Sequence, residues 1–171
     1  FLADGMLGKL ARWLRMLGHD VIYSIEFDNS ELLELAKKEE RVLLTKNLEL
    51  YKRAIGKGMD IYYVEGKTES ERLAEIAKRY GLLLMVDMDK SHCPICNTQL
   101  KPTPKEQLQA GLEKNTFTYY NKFWKCTNCG QIYWQGAHWT QINNTIKQAH
   151  TKLQKLKGKI EDQDSHFNGI S

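Results

Sequence analysis

The sequence predicts an α/β fold: a parallel sheet covered by helices on both faces, followed by a small β module and a C-terminal basic helix. Three observations carry this. Short apolar runs alternate four times with amphipathic segments before residue 88. After Asp87 the chain turns rich in aromatic and turn residues, and carries four cysteines and all three of its prolines. Beyond Trp139, Ile142, Ile146, Ala149 and Leu153 recur at three- and four-residue spacings in a lysine-rich background. Residues 1–88 are thus expected to form the α/β unit, 89–140 a metal-binding β module, and 141–171 a basic helix with a flexible tail.

FLA is the end of a first strand. DGMLGKLARWLRMLG follows as a helix, with Leu7, Leu10, Ala11, Leu14 and Leu17 on one face and Gly18 as its stop. DVIYSI reads as the second strand. SELLELAKKEE reads as a helix capped by Ser30, with Leu32, Leu33, Leu35 and Ala36 inward. RVLLT is the third strand, LELYKRAIGKG the third helix, DIYYV the fourth strand, and TESERLAEIAKRYG a fourth helix capped by Thr68. Strand–helix alternation of this kind pairs strands in parallel, because each crossover helix returns the chain to the same end of the sheet.

Composition removes some function classes. GLLLMV, Gly81–Val86, is far shorter than the roughly 18 apolar residues that mark a membrane span, so no membrane partner is expected. The formal net charge is only +4, but the basic excess lies in Lys101–Lys159 while acids concentrate before Asp89. A basic, aromatic second half suits a polyanion such as RNA, against the plainer reading of a solvated surface. The paired cysteines and the lack of a secretory signal suit a cytoplasmic protein.

Cys93 and Cys96 stand in HCPICN, and Cys126 and Cys129 in KCTNCG, with 29 residues between the pairs. Each CxxC turn presents two thiolates on one side of a tight loop, and four sulfurs complete the tetrahedral shell zinc prefers. A shell closed by sulfur leaves no position for water, so the ion is structural. Redox cysteines or two disulfides are the competing reading. His92 and His138 are alternative ligands, His138 being better placed to pack or to meet a partner.

In open α/β sheets ligands gather beyond the carboxyl ends of the strands. Asp4 follows the first strand, Asp28 with Glu26 and Glu31 follows the second, Asn47 the third, and Glu65 the fourth. Oxygen groups from separate loops, with water and substrate phosphate, would suit Mg²⁺ or Mn²⁺. Helix caps and turn residues explain the same positions without a metal. Gly5 and Gly8 beside Asp4 would let a phosphate backbone approach, and Lys9, Arg12 and Arg15 offer phosphate contacts or simply a solvated basic face.

FLADGMLGKLARWLRMLGHDV, ELLELAKKEERVLLTKN, HCPICN and KCTNCGQIYWQGAHW, in that order from Phe1 to Trp139, resemble the Mut-seven C-terminal RNase domain, a PIN-like nuclease module followed by a zinc ribbon. The resemblance implies a PIN-like three-layer α/β/α sandwich. It also implies clustered acids that hold divalent metal for hydrolysis of RNA phosphodiesters. Asp4 matches the acid after the first strand, and Asp28 and Glu31 share the match to the acidic stretch before the second helix. The family's third acid, in LLTRD, is replaced in LLTKN by Asn47, which can orient water or offer an oxygen but brings no charge and no base.

The function expected is metal-dependent RNA cleavage, weakened by Asn47. The alternative is an inactive PIN-like and zinc-ribbon protein that holds ribosomal or other structured RNA. In either case Trp124, Tyr133, Trp134 and Trp139 would stack on bases or pack a small core, and Lys46, Lys122, Lys125 and His138 would contact the nucleic acid.

Overall fold

The computed structural model describes residues 1–167. Strands β1 (Leu2–Ala3), β2 (Ile22–Tyr23), β3 (Leu43–Thr45) and β4 (Ile61–Tyr63) form a parallel sheet in the order β2-β1-β3-β4. Helices α1 (Gly8–Met16), α2 (Asn29–Lys38), α3 (Leu48–Ile55) and α4 (Glu69–Tyr80) alternate with the strands, as the sequence predicts.

Successive strand residues point to opposite faces, and here both faces are buried. Leu2 and Leu43 pack with Leu32, Leu33, Ala36, Leu50 and Ala54 from α2 and α3. Ala3 and Leu44 pack with Leu10, Ala11, Leu14, Leu73, Ile76 and Ala77 from α1 and α4. Two apolar cores flank one sheet, which makes an α/β/α sandwich. That arrangement explains why the strands read as continuous apolar runs rather than as alternating ones.

Two local expectations change. The first helix begins as a separate 3₁₀ turn, Gly5–Leu7, because the Asp4 carboxylate accepts from Met6 N and the Asp4 carbonyl from Leu7 N, tightening the entry. The cap of α2 is Asp28 rather than Ser30. Asp28 accepts from the Ser30 and Glu31 amides while the Glu31 carboxylate accepts from Asp28 N, a reciprocal capping box. Thr68 caps α4 in the same way with Glu71, as expected.

After α4 the chain enters a three-stranded antiparallel ribbon, β5 (Leu100–Pro102), β6 (Trp124–Cys126) and β7 (Ile132–Tyr133), in sequential order. A 3₁₀ turn, Lys105–Gly111, and a short helix, α5 (Lys114–Tyr119), fill the β5–β6 connection; the sequence pattern did not announce either. Met88, Leu100 and Trp124 form the ribbon's core with Cys93 and Cys126.

Helix α6 (Trp139–Phe167) then returns to the α/β unit and lies against α4. Its predicted stripe is the buried one: Ala149 is fully buried in the same core as Leu73 and Ala77, with Ile146 and Leu153 beside it. His150 Nε2 donates to Leu84 O at 2.8 Å, and Lys152 Nζ to Glu71 Oε1 at 2.8 Å. The helix runs to Phe167, and residues 168–171 of the expected tail lie outside the described residues. No described helix is long and apolar enough to cross a membrane.

The Glu71–Lys152 contact predicts a pH effect. The Lys152 ammonium, then the Thr68 and Lys67 amides, hold the Glu71 carboxyl down to about 2 from its ordinary 4.5. A depressed carboxyl stabilises the fold above its unfolded value and loses that contribution as pH falls through the folded one. The gap in thermal midpoint between this protein and Glu71→Gln is therefore largest above pH 4.5 and narrows toward pH 2. A gap that stays constant over that range would refute the contact.

Candidate functional site

The carboxyl ends of β1 and β3 meet at Asp4, which is only 4 % exposed. Asp4 N donates to Leu44 O at 3.0 Å, which fixes its backbone between the strands. Asp4 Oδ1 accepts from Met6 N at 2.8 Å; Oδ2 accepts from Lys46 N at 2.8 Å and from the Thr45 hydroxyl. A carboxylate has about four lone-pair positions, so one remains, on Oδ1.

Thr45 Oγ1 in turn accepts from Asn47 N at 2.9 Å. Asn47 Oδ1 caps α3, accepting from Glu49 N at 3.0 Å and Leu50 N at 3.2 Å. Its Nδ2 points to Asn29 Oδ1 at 3.5 Å. A hydrogen-bonded chain thus runs Asp4–Thr45–Asn47–Asn29 and joins the ends of β1 and β3 to the start of α2. Asn47 uses its oxygen on the helix and turns a donor toward Asn29, the opposite of what a cation needs.

Asp28 and Glu31 are exposed, and each uses one carboxylate oxygen in the capping box, leaving Asp28 Oδ2 and Glu31 Oε1 free. Among the described residues, the sole group of three or more His, Cys, Asp or Glu side chains close enough to hold a metal is the cysteine set, so Asp4, Asp28 and Glu31 do not form a closed cage. A site built on them would take one or two carboxylates, with water and phosphate filling the remaining positions, which is the usual way Mg²⁺ is bound.

Glu75 on α4 escaped the sequence reading. Its carboxylate accepts from Glu65 N at 3.2 Å and Gly66 N at 3.0 Å and so holds the loop after β4. Burial raises its carboxyl; the Gly66 and Glu65 amides oppose this, the Glu65 charge adds to it, and Lys46 opposes it. The signal was present, since Glu75 interrupts the buried run Leu73, Ala74, Ile76 and Ala77.

Lys9 and Arg12 project into solvent from α1, and Lys46 is half-buried. Arg15 is a correction: it is 5 % exposed and makes no surface contact available to phosphate. Its Nε and Nη2 donate to Val21 O at 2.9 and 2.7 Å, and Nη1 donates to Pro94 O at 2.9 Å and Ile95 O at 3.1 Å. It thereby clamps the first cysteine loop to the α/β unit. Gly8 also has a different reason from the one expected. A Cβ there would stand 2.6 Å from the Tyr23 hydroxyl, so the bare backbone admits the tyrosine ring rather than a phosphate.

The two cysteine loops repeat one another. Cys93 N donates to Thr98 O and Cys126 N to Gln131 O; Asn97 N donates to Cys93 O and Gly130 N to Cys126 O. Each ends in a left-handed residue, Asn97 at φ 69° and Gly130 at φ 76°, residue types that tolerate it. All four sulfurs lie within 4.8 Å of one another, with Cys96 to Cys126 at 3.3 Å and Cys93 to Cys129 at 3.6 Å, and none is bonded to another. Tetrahedral ligation at the usual Zn–S length needs sulfurs about 3.8 Å apart.

The donor chemistry agrees. Burial raises the Cys96 thiol, but hydrogen bonds from Thr98, then Asn128 and Cys126, outweigh it and bring it to about 5. The Gln131 amide lowers the Cys129 thiol, but desolvation and the sulfurs of Cys126, Cys93 and Cys96 push it up to about 12. Four thiolates this close repel unless a divalent cation sits among them, so the set could hold a zinc ion. Neither histidine belongs to it: His92 Nδ1 donates to Asn97 O at 2.8 Å, and His138 is exposed.

The aromatic residues divide. Trp124 is 7 % exposed and its Nε1 donates to Asp89 Oδ1 at 2.7 Å, so it is a core residue. Tyr133 is half-buried with its hydroxyl 3.1 Å from Cys93 Sγ. Trp134 and Trp139 are half-buried, Lys122 is exposed and Lys125 half-buried.

A family model described as Mut7-C RNAse domain matches residues 1–146, which takes in the sheet, the ribbon and the start of α6. No curated protein and no solved structure matches the chain. The family indicates a ribonuclease-type function with RNA as the substrate class. Sheet order, the paired cysteine loops and a match over most of the length agree, and the chain belongs to the Mut7-C RNAse domain family.

Proposed function

We propose that the protein is a metal-dependent ribonuclease whose site lies at the carboxyl edge of the four-stranded sheet, with Asp4 at its centre. The observation that carries this reading is the chain of hydrogen bonds from Asp4 through Thr45 and Asn47 to Asn29, which gathers three loops at one edge. In this reading the sandwich of residues 1–88 carries the chemistry, the zinc ribbon of 89–140 and the helix of 141–171 bind RNA, and Asp28 or Glu31 supplies a second carboxylate. Mg²⁺ or Mn²⁺, when bound, supplies an activated water and neutralises charge on the scissile phosphate. Asp4 is held in place by three donors, and Lys9, Arg12 and Lys46 draw the phosphate backbone toward it.

One observation favours a second reading, an RNA-holding protein of a ribosome or another ribonucleoprotein that does not cut. Asn47 presents Nδ2 where an aspartate would turn a charged oxygen. Asn47→Asp keeps the α3 cap with one oxygen and offers the other to the site.

Cleavage of labelled single-stranded and structured RNA with Mn²⁺ decides between them. Asn47→Asp is expected to raise the rate at least about tenfold, and Asp4→Asn to lower it at least about a hundredfold, as carboxylates that touch or adjoin a metal do. Binding without cleavage in both this protein and Asn47→Asp would leave the RNA-holding reading.

A further inference from the structure

A cleft of about 520 Å³ lies between the ribbon, the end of α1 and the start of α6. Tyr120, Tyr133, Trp134 and Trp139 line it, together with Met16 and His138. Its volume is within the range of about 300–1,000 Å³ typical of small-ligand sites. Among the described residues, no Asp, Glu, Lys or Arg lines it. The neutral walls suit an uncharged ring rather than a phosphate.

Hydrogen-bonding capacity remains in those walls. The Trp124 indole is satisfied by Asp89, whereas the indole N–H groups of Trp134 and Trp139 and the Tyr120 hydroxyl have no hydrogen-bond partner among the described residues. Half-buried indoles ordinarily find an acceptor. Trp134 is held by Tyr120 and Phe123, with ring centroids 6.4 Å away in each case, so its face is presented by a braced side chain.

The stretch of chain that supplies Leu100, Thr116 and Tyr120 to the cleft is cationic. Residues 100–130 hold Lys101, Lys105, Lys114, Lys122 and Lys125 against Glu106 and Glu113. The cleft also has a charged approach. Lys9, Arg12 and Met16 are spaced three and four apart on α1 and share one stripe; the first two are exposed, and the last lines the cleft. Asp4 precedes this helix by one 3₁₀ turn and the cleft lies at its far end; α1 itself, Gly8 to Met16, spans about 12 Å along its axis at 1.5 Å per residue.

We propose that this cleft receives an unpaired base of an RNA strand whose phosphates follow the Lys9–Arg12 stripe toward Asp4. The proposal rests on the ribonuclease-type reading for the identity of the ligand, but not on cleavage. A neutral, aromatic, donor-bearing slot inside a basic surface is what a splayed base requires: stacking for its face, donors for its ring nitrogens and carbonyls, and cations for its flanking phosphates.

The test is the affinity of the zinc-loaded protein, without added Mg²⁺ or Mn²⁺, for a fluorescent single-stranded RNA and for the same strand carrying abasic positions. The base-bearing strand is expected to bind about tenfold more tightly, the size usual for one base–aromatic stack. Trp134→Ala is expected to bring that ratio close to one. Because Trp134 also packs on Tyr120 and Phe123, Ala137→Leu at the exposed lip of the cleft gives a second reading; it should shrink the ratio while leaving the thermal midpoint unchanged. Arg12→Ala should weaken both strands equally and reduce the salt slope by about one. Equal affinity for the two strands in the unsubstituted protein overturns the proposal and assigns the cleft to an apolar protein side chain instead. Absence of cleavage with Mn²⁺, with the tenfold ratio intact, would instead count against the nuclease reading alone.

Discussion

Removing the zinc ion that the four cysteines could hold is expected to lower the thermal midpoint by about 8–16 °C and to dismantle the ribbon. An ion that binds the folded state alone stabilises it by about 4 kcal/mol when present at a thousandfold over its Kd, and each kcal/mol is about 2–4 °C for a chain of this size. The ribbon's own apolar core is small. Its core is Met88, Leu100 and Trp124, and two of the remaining members are the ligands Cys93 and Cys126 themselves. Cys126→Ser should reproduce the effect, with loss of bound zinc by atomic absorption and a red shift of tryptophan emission as Trp124 leaves Asp89. The sheet core, made of separate residues, should keep its helical signal. A midpoint indifferent to chelation would show that the four sulfurs stabilise the ribbon without a metal.

Arg15→Met is expected to cost about 3–5 kcal/mol, or about 6–20 °C in midpoint. The guanidinium satisfies three carbonyls, on Val21, Pro94 and Ile95, and a buried acceptor left without a donor costs about 1–3 kcal/mol. Arg15→Lys recovers only part of this, because an ammonium lacks the planar fork that reaches carbonyls on two loops at once. Arg12→Met, three residues earlier but exposed, should lie within about 0.5 kcal/mol of the parent. Equal effects at the two positions would contradict the clamp.

The contrast between these arginines marks where the sequence could be read and where it could not. Strand–helix alternation was legible because the central strands β1 and β3 are buried on both faces and each crossover helix on one, so both periods survive in the apolar residues. The stripe of α6 was legible for the same reason, although nothing local says that its partner is α4. Arg15 was half legible: it continues the Leu7, Ala11 spacing and so belongs to the buried face, but two of its three carbonyl partners lie 79 and 80 residues downstream. The cysteine site was readable from spacing because each loop is self-contained, with the same backbone hydrogen bonds in both. The carboxylate edge was harder. A cap and a metal ligand call for the same residue at the same place after a strand, and Asp28 with Glu31 shows the capping geometry in full. Only the side-chain atoms of Asn47 reveal which of its two groups faces the neighbouring loop.

The order of elements along the chain has a consequence for how the protein is made. Helices α4 and α6 share one core, yet the whole ribbon lies between them in sequence. As the chain leaves the ribosome, the flank of α4 that Ala149 and Ile146 cover stays open until the ribbon and then α6 have emerged. A nascent chain stalled within the ribbon therefore displays an apolar strip on an unfinished sandwich, a target for chaperones and proteases. Helix α6 seals a core laid down before it, so only a chain that has been translated through its cysteine module can close around that core.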